Sequence, residues 1–317
     1  MTLGPKGTRR TLGLPGTGFY YTEHSSWGRS SGKDRTRLAR DGAGPRSAHA
    51  EDRLTLGFFK RLITPKAERA FVDGLKAYVQ GRESCALEQF SASLNLPDSA
   101  FMAGFLALKK ARFQEAVQAF EMANRHHGSL GSLFAKYGVH VELVLPITKE
   151  LDAHIGPRRR GLLLGMAEAY QAMDEHLLAA ETLMELLDML PDDIVVKASL
   201  AELLLDARPD DPQTSHEIVR MAGNVNNESP AHAALMLYKA KALRAQGLST
   251  AARDTLTAAL RRTKDRGHDL ILALRYERAL VYAEINQHKR SRDELEKVYA
   301  QEPEYEDVGM RLGVSAR

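Results

Sequence analysis

The chain has 317 residues, 44% hydrophobic and 27% charged, with 44 Lys or Arg against 41 Asp or Glu for a formal charge of +3. It has no run of about eighteen apolar residues to span a membrane, and one cysteine, Cys85, excludes an internal disulfide or a cysteine zinc cluster. The charge is uneven: residues 1–66 hold thirteen Lys or Arg against five Asp or Glu, net +8, and the remainder 31 against 36, net −5, so two different materials are joined.

Thr2, Leu3 and Gly4, the turn at Pro5, Lys6 and Gly7, and the run from Thr8 to Leu12 predict two short strands, because Pro fixes one turn dihedral and Gly supplies another. A second turn follows at Leu14, Pro15 and Gly16. The run TLGPKGTRRTLGLPGTGFYYT resembles the final strands of a bacterial domain-of-unknown-function family, number 4236, over residues 1–22. That family has no assigned activity and is normally more than twice this length, so the resemblance implies a bacterial source and a truncated glycine-rich β segment. A partial sheet leaves an open edge, which is expected to fray or to pair with another chain. Gly13, Leu14, Pro15, Gly16, Thr17 and Gly18 also look like the start of a phosphate-binding loop, but Phe19 and Tyr20 stand where Lys and Ser or Thr are needed, so a plain glycine turn is expected.

Residues 23–53 are rich in Gly, Arg and Ser with few aliphatics, and a disordered basic linker is expected because such a segment buries too little to offset its ordering entropy. From Leu54 the apolar period is helical, with Leu54, Leu56, Phe58, Phe59, Leu62 and Ile63 forming a short amphipathic lead-in.

Repeats follow. Ala86, Phe90 and Ser93 are answered thirty residues later by Ala116, Phe120 and Ala123, and Gly74 and Gly104 ahead of them keep the same spacing. Related triplets are Ala179, Leu183 and Leu186; Ala252, Leu256 and Ala259; and Ser291, Leu295 and Val298. A small residue, a large one four on and a smaller one three further on let a second helix lie close against a first, and a period in the thirties means stacked hairpins that share a core. The units fall at 67–98, 97–128, 160–191, 233–264 and 272–303, with 129–156 and 194–226 fitting in length and helical pattern but poorly in signature.

This spacing resembles the tetratricopeptide repeat (TPR) family over roughly 67–305. Gly74, Ala86 and Phe90, then Gly104, Ala116 and Phe120, then Ala167, Tyr170, Ala179 and Pro191 take its positions, although its opening large aromatic is missing nearly everywhere. The resemblance implies an all-α, right-handed superhelical solenoid of about seven helical hairpins over 54–317. It also implies a scaffold that holds a peptide or partner protein in a groove lined by first helices. Carried onto this chain, the groove residues are Phe71, Leu75 and Tyr78, then Phe101, Phe105 and Lys109, and later Lys241 and Arg244. The early groove then reads as apolar, and Lys241 with Arg244 as a carboxylate clamp. The competing expectation is that Phe58, Phe59 and Ile63 fold back on the apolar stretch as a cap.

No catalytic, cofactor or metal set is expected. Adjacent His126 and His127 diverge by about 100 degrees on a helix; Asp192 and Asp193 read as helix caps; Asp206, Asp210 and Asp211 lack the Gly and Glu of a calcium loop. Arg158, Arg159 and Arg160 at a helix start are a candidate for an acidic partner. Cys85, beside Ala86, reads as a buried inert thiol. A non-catalytic scaffold is therefore expected. The alternative is nucleic-acid or anionic-membrane binding through the basic arm, with Trp27, Phe19, Tyr20 and Tyr21 as stacking groups. The N terminus lacks the apolar core of a secretory signal, so a cytoplasmic location is expected.

Overall fold

The computed structural model describes residues 2–4, 7–13, 19–26, 63–209 and 211–314. The predicted lead-in residues Leu54, Leu56, Phe58, Phe59 and Leu62, and the linker beyond residue 26, lie outside the described residues. Ile63 lies inside them and is 84% exposed.

Contacts divide the chain into two units, residues 1–145 with 154–173, and residues 146–153 with 174–317. In the first, helices α1 (Lys66–Val79) and α2 (Glu83–Ser91) form one pair, and α3 (Pro97–Lys109) and α4 (Phe113–Arg125) the next. Helix α6 (Arg159–Gln171) packs on α4. In the second unit α7 (His176–Met189) packs on α8 (Ile194–Ala207), followed by α9 (Pro212–Ala222), the pair α10 (Pro230–Ala245) and α11 (Ser249–Ala259), and the pair α12 (His268–Glu284) and α13 (His288–Tyr299). A short α14 (Val308–Leu312) closes the series, with Val308 buried beside Leu272, Leu295 and Val298. The predicted unit at 160–191 is thus divided, α6 belonging to the first unit and α7 to the second.

All five predicted triplets are buried, including the hydroxyl members Ser93 and Ser291. The glycines explain the closeness of the first two pairs. A methyl group at Gly74 would stand 2.8 Å from the Phe90 ring and one at Gly104 2.5 Å from the Phe120 ring, so each ring lies directly on the backbone of the facing helix. On the other side of Phe120, a methyl at Gly165 of α6 would come within 2.7 Å of the same ring. Helix starts use local chemistry: Asp193 accepts from the amides of Val195 and Val196, and Asp211 from those of Gln213 and Thr214.

The expected helical hairpin at 129–156 does not form. A 3₁₀ turn (His127–Ser129) leads to the five-residue α5 (Ser132–Lys136), then to strands β4 (Glu142–Thr148) and β5 (Leu151–Ile155). Val141 to Leu145, inside that expected helical unit, is largely strand. The cause is a period of two: Val141, Leu143, Leu145 and Ile147 are buried while Pro146 is exposed, and Leu151, Ala153 and Ile155 are buried while Asp152 and His154 are exposed.

Strands β1 (Thr2–Gly4), β2 (Gly7–Gly13) and β3 (Phe19–Ser26) pair antiparallel in sequence order. Strand β3 runs four residues past the boundary drawn at residue 22. It pairs with β4, Phe19 opposite Leu143 and Tyr20 opposite Glu142, giving the order β1-β2-β3-β4-β5. The expected open edge is therefore met on one side by a strand of the same chain.

Candidate interaction site

Phe71 is fully buried, with its ring 6.1 Å from Phe90, 5.2 Å from Phe134 and 6.3 Å from Tyr137. Leu75 and Phe101 are buried as well, and Phe105 lies between Phe101, at 4.9 Å, and Phe120, at 5.2 Å. These four residues, assigned from sequence to the lining of an open groove, present no surface. Tyr78 is half-buried, its pKa raised by burial and then by the Glu83 charge. Lys109 is exposed and pairs with Glu83 at 2.6 Å. Lys241 stands 5.3 Å from the centre of the Tyr238 ring, whereas Arg244 binds Glu277 at 2.6 Å and Glu284 at 3.0 Å. Lys241 and Arg244 are thus not brought together as a clamp: the carboxylates on Arg244 come from α12 of the same chain.

In the first unit Phe71 is covered by part of the segment expected as a hairpin, whereas Phe105 is covered by Phe120 and by α6 at Gly165. Asp98, at the start of α3, is fully buried and accepts the amides of Gly131, Leu133 (2.6 Å) and Phe134 (3.4 Å), capping α5 from across the fold. Burial pushes its pKa up against the opposing pull of these three amides. Phe134 enters beside Phe71. Glu68 of α1 takes the Lys136 ammonium and, at 2.6 Å, the Tyr137 hydroxyl. Although burial works to raise it, the Glu68 pKa is held below the usual glutamate value by these two partners. An internal segment therefore occupies first helices α1 and α3, as a bound peptide would, through one buried aromatic side chain and three recognised amides. The competing cap from Phe58 and Phe59 lies outside the described residues.

In the second unit the turn between β4 and β5 does the same. Leu151 joins the core built by α8, α10 and their neighbours. The buried Tyr238 hydroxyl of α10 stands 2.6 Å from Glu150 Oε2 and 3.1 Å from Glu202 Oε1 of α8, while the Lys149 amide donates to Glu202 Oε1 at 3.4 Å. Thr148 Oγ1 donates to Glu150 Oε2 at 3.1 Å. Burial, then the Glu150 charge, pushes Glu202 up to about 7. One tyrosine proton cannot serve two carboxylates at once, and a proton on Glu202 supplies the second bridge.

A folded-state pKa raised from 4.5 to about 7 contributes stability that is fully present below 4.5 and is lost as pH rises through about 7. The second unit should lose part of its thermal stability over that window, and Glu202→Gln should flatten the loss. Melting curves of the two proteins across the window check this; equal slopes would contradict it.

No protein-family model matches the sequence. No curated protein matches it. Solved structures do. The Cut9–Hcn1 hetero-tetramer of the APC/C aligns over 84% of this chain at 16% identity and a TM-score of 0.48, and this chain spans only 46% of that one. NprR in complex with its cognate peptide NprX aligns over 84% of this chain and 74% of that one, at 14% identity and a TM-score of 0.42. A TPR repeats protein from Bacteroides fragilis aligns over 79% and 97%, at 14% identity and a TM-score of 0.38. The fold class rests on the helix pairs themselves.

Among the described residues no group of three or more His, Cys, Asp or Glu is placed to hold a metal ion, and no helix is long and apolar enough to cross a membrane. Cys85 is half-buried on α2. His126 and His127 are exposed where α4 ends, and Arg158 is exposed at the start of α6.

Sequence reasoning missed Asp98, Glu68, Phe134, Tyr137, Glu150, Glu202 and Tyr238. Asp98 and Glu68 were hidden because each looks like an ordinary acidic residue in a helix's first turn. The strand signal around Glu150 was readable in the period of two from Val141 to Ile155.

Proposed function

We propose that the protein is a non-catalytic interaction scaffold of tetratricopeptide type that binds a peptide or partner protein along the faces of its first helices, in the bacterial cytoplasm. The reading is supported above all by the chain's own segment 131–137, which lies on α1 and α3 with specific recognition: Asp98 reads its amides, Glu68 its lysine and tyrosine, and Phe71 its phenylalanine. A face that holds one segment this way has the donors, acceptors and apolar area to hold another. Phe71 then meets a partner only where the resident segment has moved aside, and Leu75, Phe101 and Phe105 stay within the helix packing. Half-buried Tyr78, Lys241 and Arg244, and exposed Lys109, are reachable without that movement.

The test is a labelled peptide of residues 129–139 titrated onto the full chain. Phe134→Ser loosens the resident segment, so the peptide should bind this variant more tightly than the natural chain, and adding Asp98→Ala should abolish the gain. Equal binding to all three would sink the reading. The +8 charge of residues 1–66 favours a second reading, nucleic-acid or anionic-membrane binding. It predicts capture of single-stranded DNA or anionic vesicles that falls steeply with salt and is unaffected by Asp98→Ala.

A further inference from the structure

Helix α7 carries two apolar faces. Ala179, Leu183 and Leu186 are fully buried. On the opposite side Leu177 is 67% exposed and Met184 48%, while Leu178 and Met189 are exposed on one flank of the helix. Leu177 and Met184 are seven residues apart and so share one stripe, with Glu181 and Asp188 at the intervening helical positions.

The other second helices provide an internal control. The exposed positions are Ser84, Glu88 and Ser91 on α2, Gln114, Glu115, Gln118, Glu121 and Arg125 on α4, Thr250, Ala251 and Asp254 on α11, and chiefly charged side chains on α13. Of the ten large hydrophobic residues exposed among the described residues, five fall between Leu177 and Leu190. An apolar stripe that is confined to one helix of a repeated series is not a requirement of the repeat, and contiguous exposed apolar area marks an interaction surface.

Charge selects the occupant. Residues 174–196, around α7 in the second unit, contain seven Asp or Glu and neither Lys nor Arg. A second copy would set this acidic face against itself, and an anionic bilayer would repel it. We infer that the outer face of α7 docks a basic amphipathic helix of a partner protein, its leucines on Leu177 and Met184 and its lysines or arginines beside Glu181 and Asp188. Methionine suits the task because its flexible, polarisable side chain fits varied apolar partners. The surface shares no residue with α1 or α3, and the inference stands whether or not the first-helix faces bind peptide.

The experiment uses the full chain and a synthetic helical peptide of Leu and Lys in amphipathic order, followed by fluorescence anisotropy. Binding should weaken by about tenfold or more in Leu177→Ser/Met184→Ser, a loss equivalent to about 1.4 kcal/mol. It should weaken again in Glu181→Lys/Asp188→Lys, while both variants melt as the natural chain does because the replaced side chains are exposed. Unchanged affinity in the variants overturns the inference. So does a dimer, or vesicle binding, that the same substitutions abolish, and so does a large fall in melting temperature, which would show that the stripe is packed within the molecule. Binding of the 129–139 peptide should be the same in these variants, which separates failure here from failure of the first-helix reading.

Discussion

Phe120→Ala is expected to lower the stability of the first unit by about 3–5 kcal/mol. Its ring is fully buried, rests edge-on against Phe105 and lies against the backbones of both α3 at Gly104 and α6 at Gly165, so its removal leaves three helices facing one cavity. The companion change is more diagnostic. Gly104→Ala should gain helix propensity worth about 0.8–1 kcal/mol, yet its methyl would fall 2.5 Å from the Phe120 ring. Overpacking of this kind costs about 1–3 kcal/mol, so the substitution is destabilising in the natural chain. In a Phe120→Ala background the ring is gone and the methyl enters the vacated space, so the same substitution should become stabilising. A double-mutant cycle by urea unfolding reads this change of sign. A penalty of equal size in both backgrounds would show that the ring is not what holds α3 and α4 close.

Asp98→Ala is the second large effect. Each buried amide left without a partner costs about 1–3 kcal/mol, and Asp98 serves those of Gly131, Leu133 and Phe134. The chain can limit the penalty by releasing the segment to water, so two signatures are expected together. The unfolding free energy should fall by about 3 kcal/mol, and a protease should cleave between residues 128 and 140 in the otherwise folded protein. Asp98→Asn, which retains one acceptor oxygen, should fall between the two. Full stability in Asp98→Ala would mean that α5 is held by Phe134 and Tyr137 alone.

Much of the helical architecture was legible because its cause is local and repeated. A small residue facing a large one, Gly74 with Phe90 and Gly104 with Phe120, is a statement about helix separation that sequence spacing carries directly. The insert was misread for the converse reason. Residues 129–156 match a repeat in length, and length outweighed the alternation from Val141 to Ile155 that marks strands. The site was less legible than the fold. Phe71, Leu75, Phe101 and Phe105 were correctly placed on first helices, but sequence alone does not show that another segment of the same chain covers them. Arg244 was read as free for a partner because Glu277 and Glu284 lie more than thirty residues away. Asp98 and Glu202 act over 33 and 53 residues of sequence, a range at which no spacing rule links a carboxylate to the amide it receives.

The first-helix face of α1 and α3 is occupied by the chain's own insert. Hydrogen exchange on the intact protein at the amides of Gly131, Leu133 and Phe134 tests this most directly. Exchange as slow as that of α3 is expected in the natural chain, and release of these amides, with α3 still protected, in Asp98→Ala. Exchange of the three amides at the rate of an unstructured peptide in the natural chain would contradict it, leaving Phe71 without its cover.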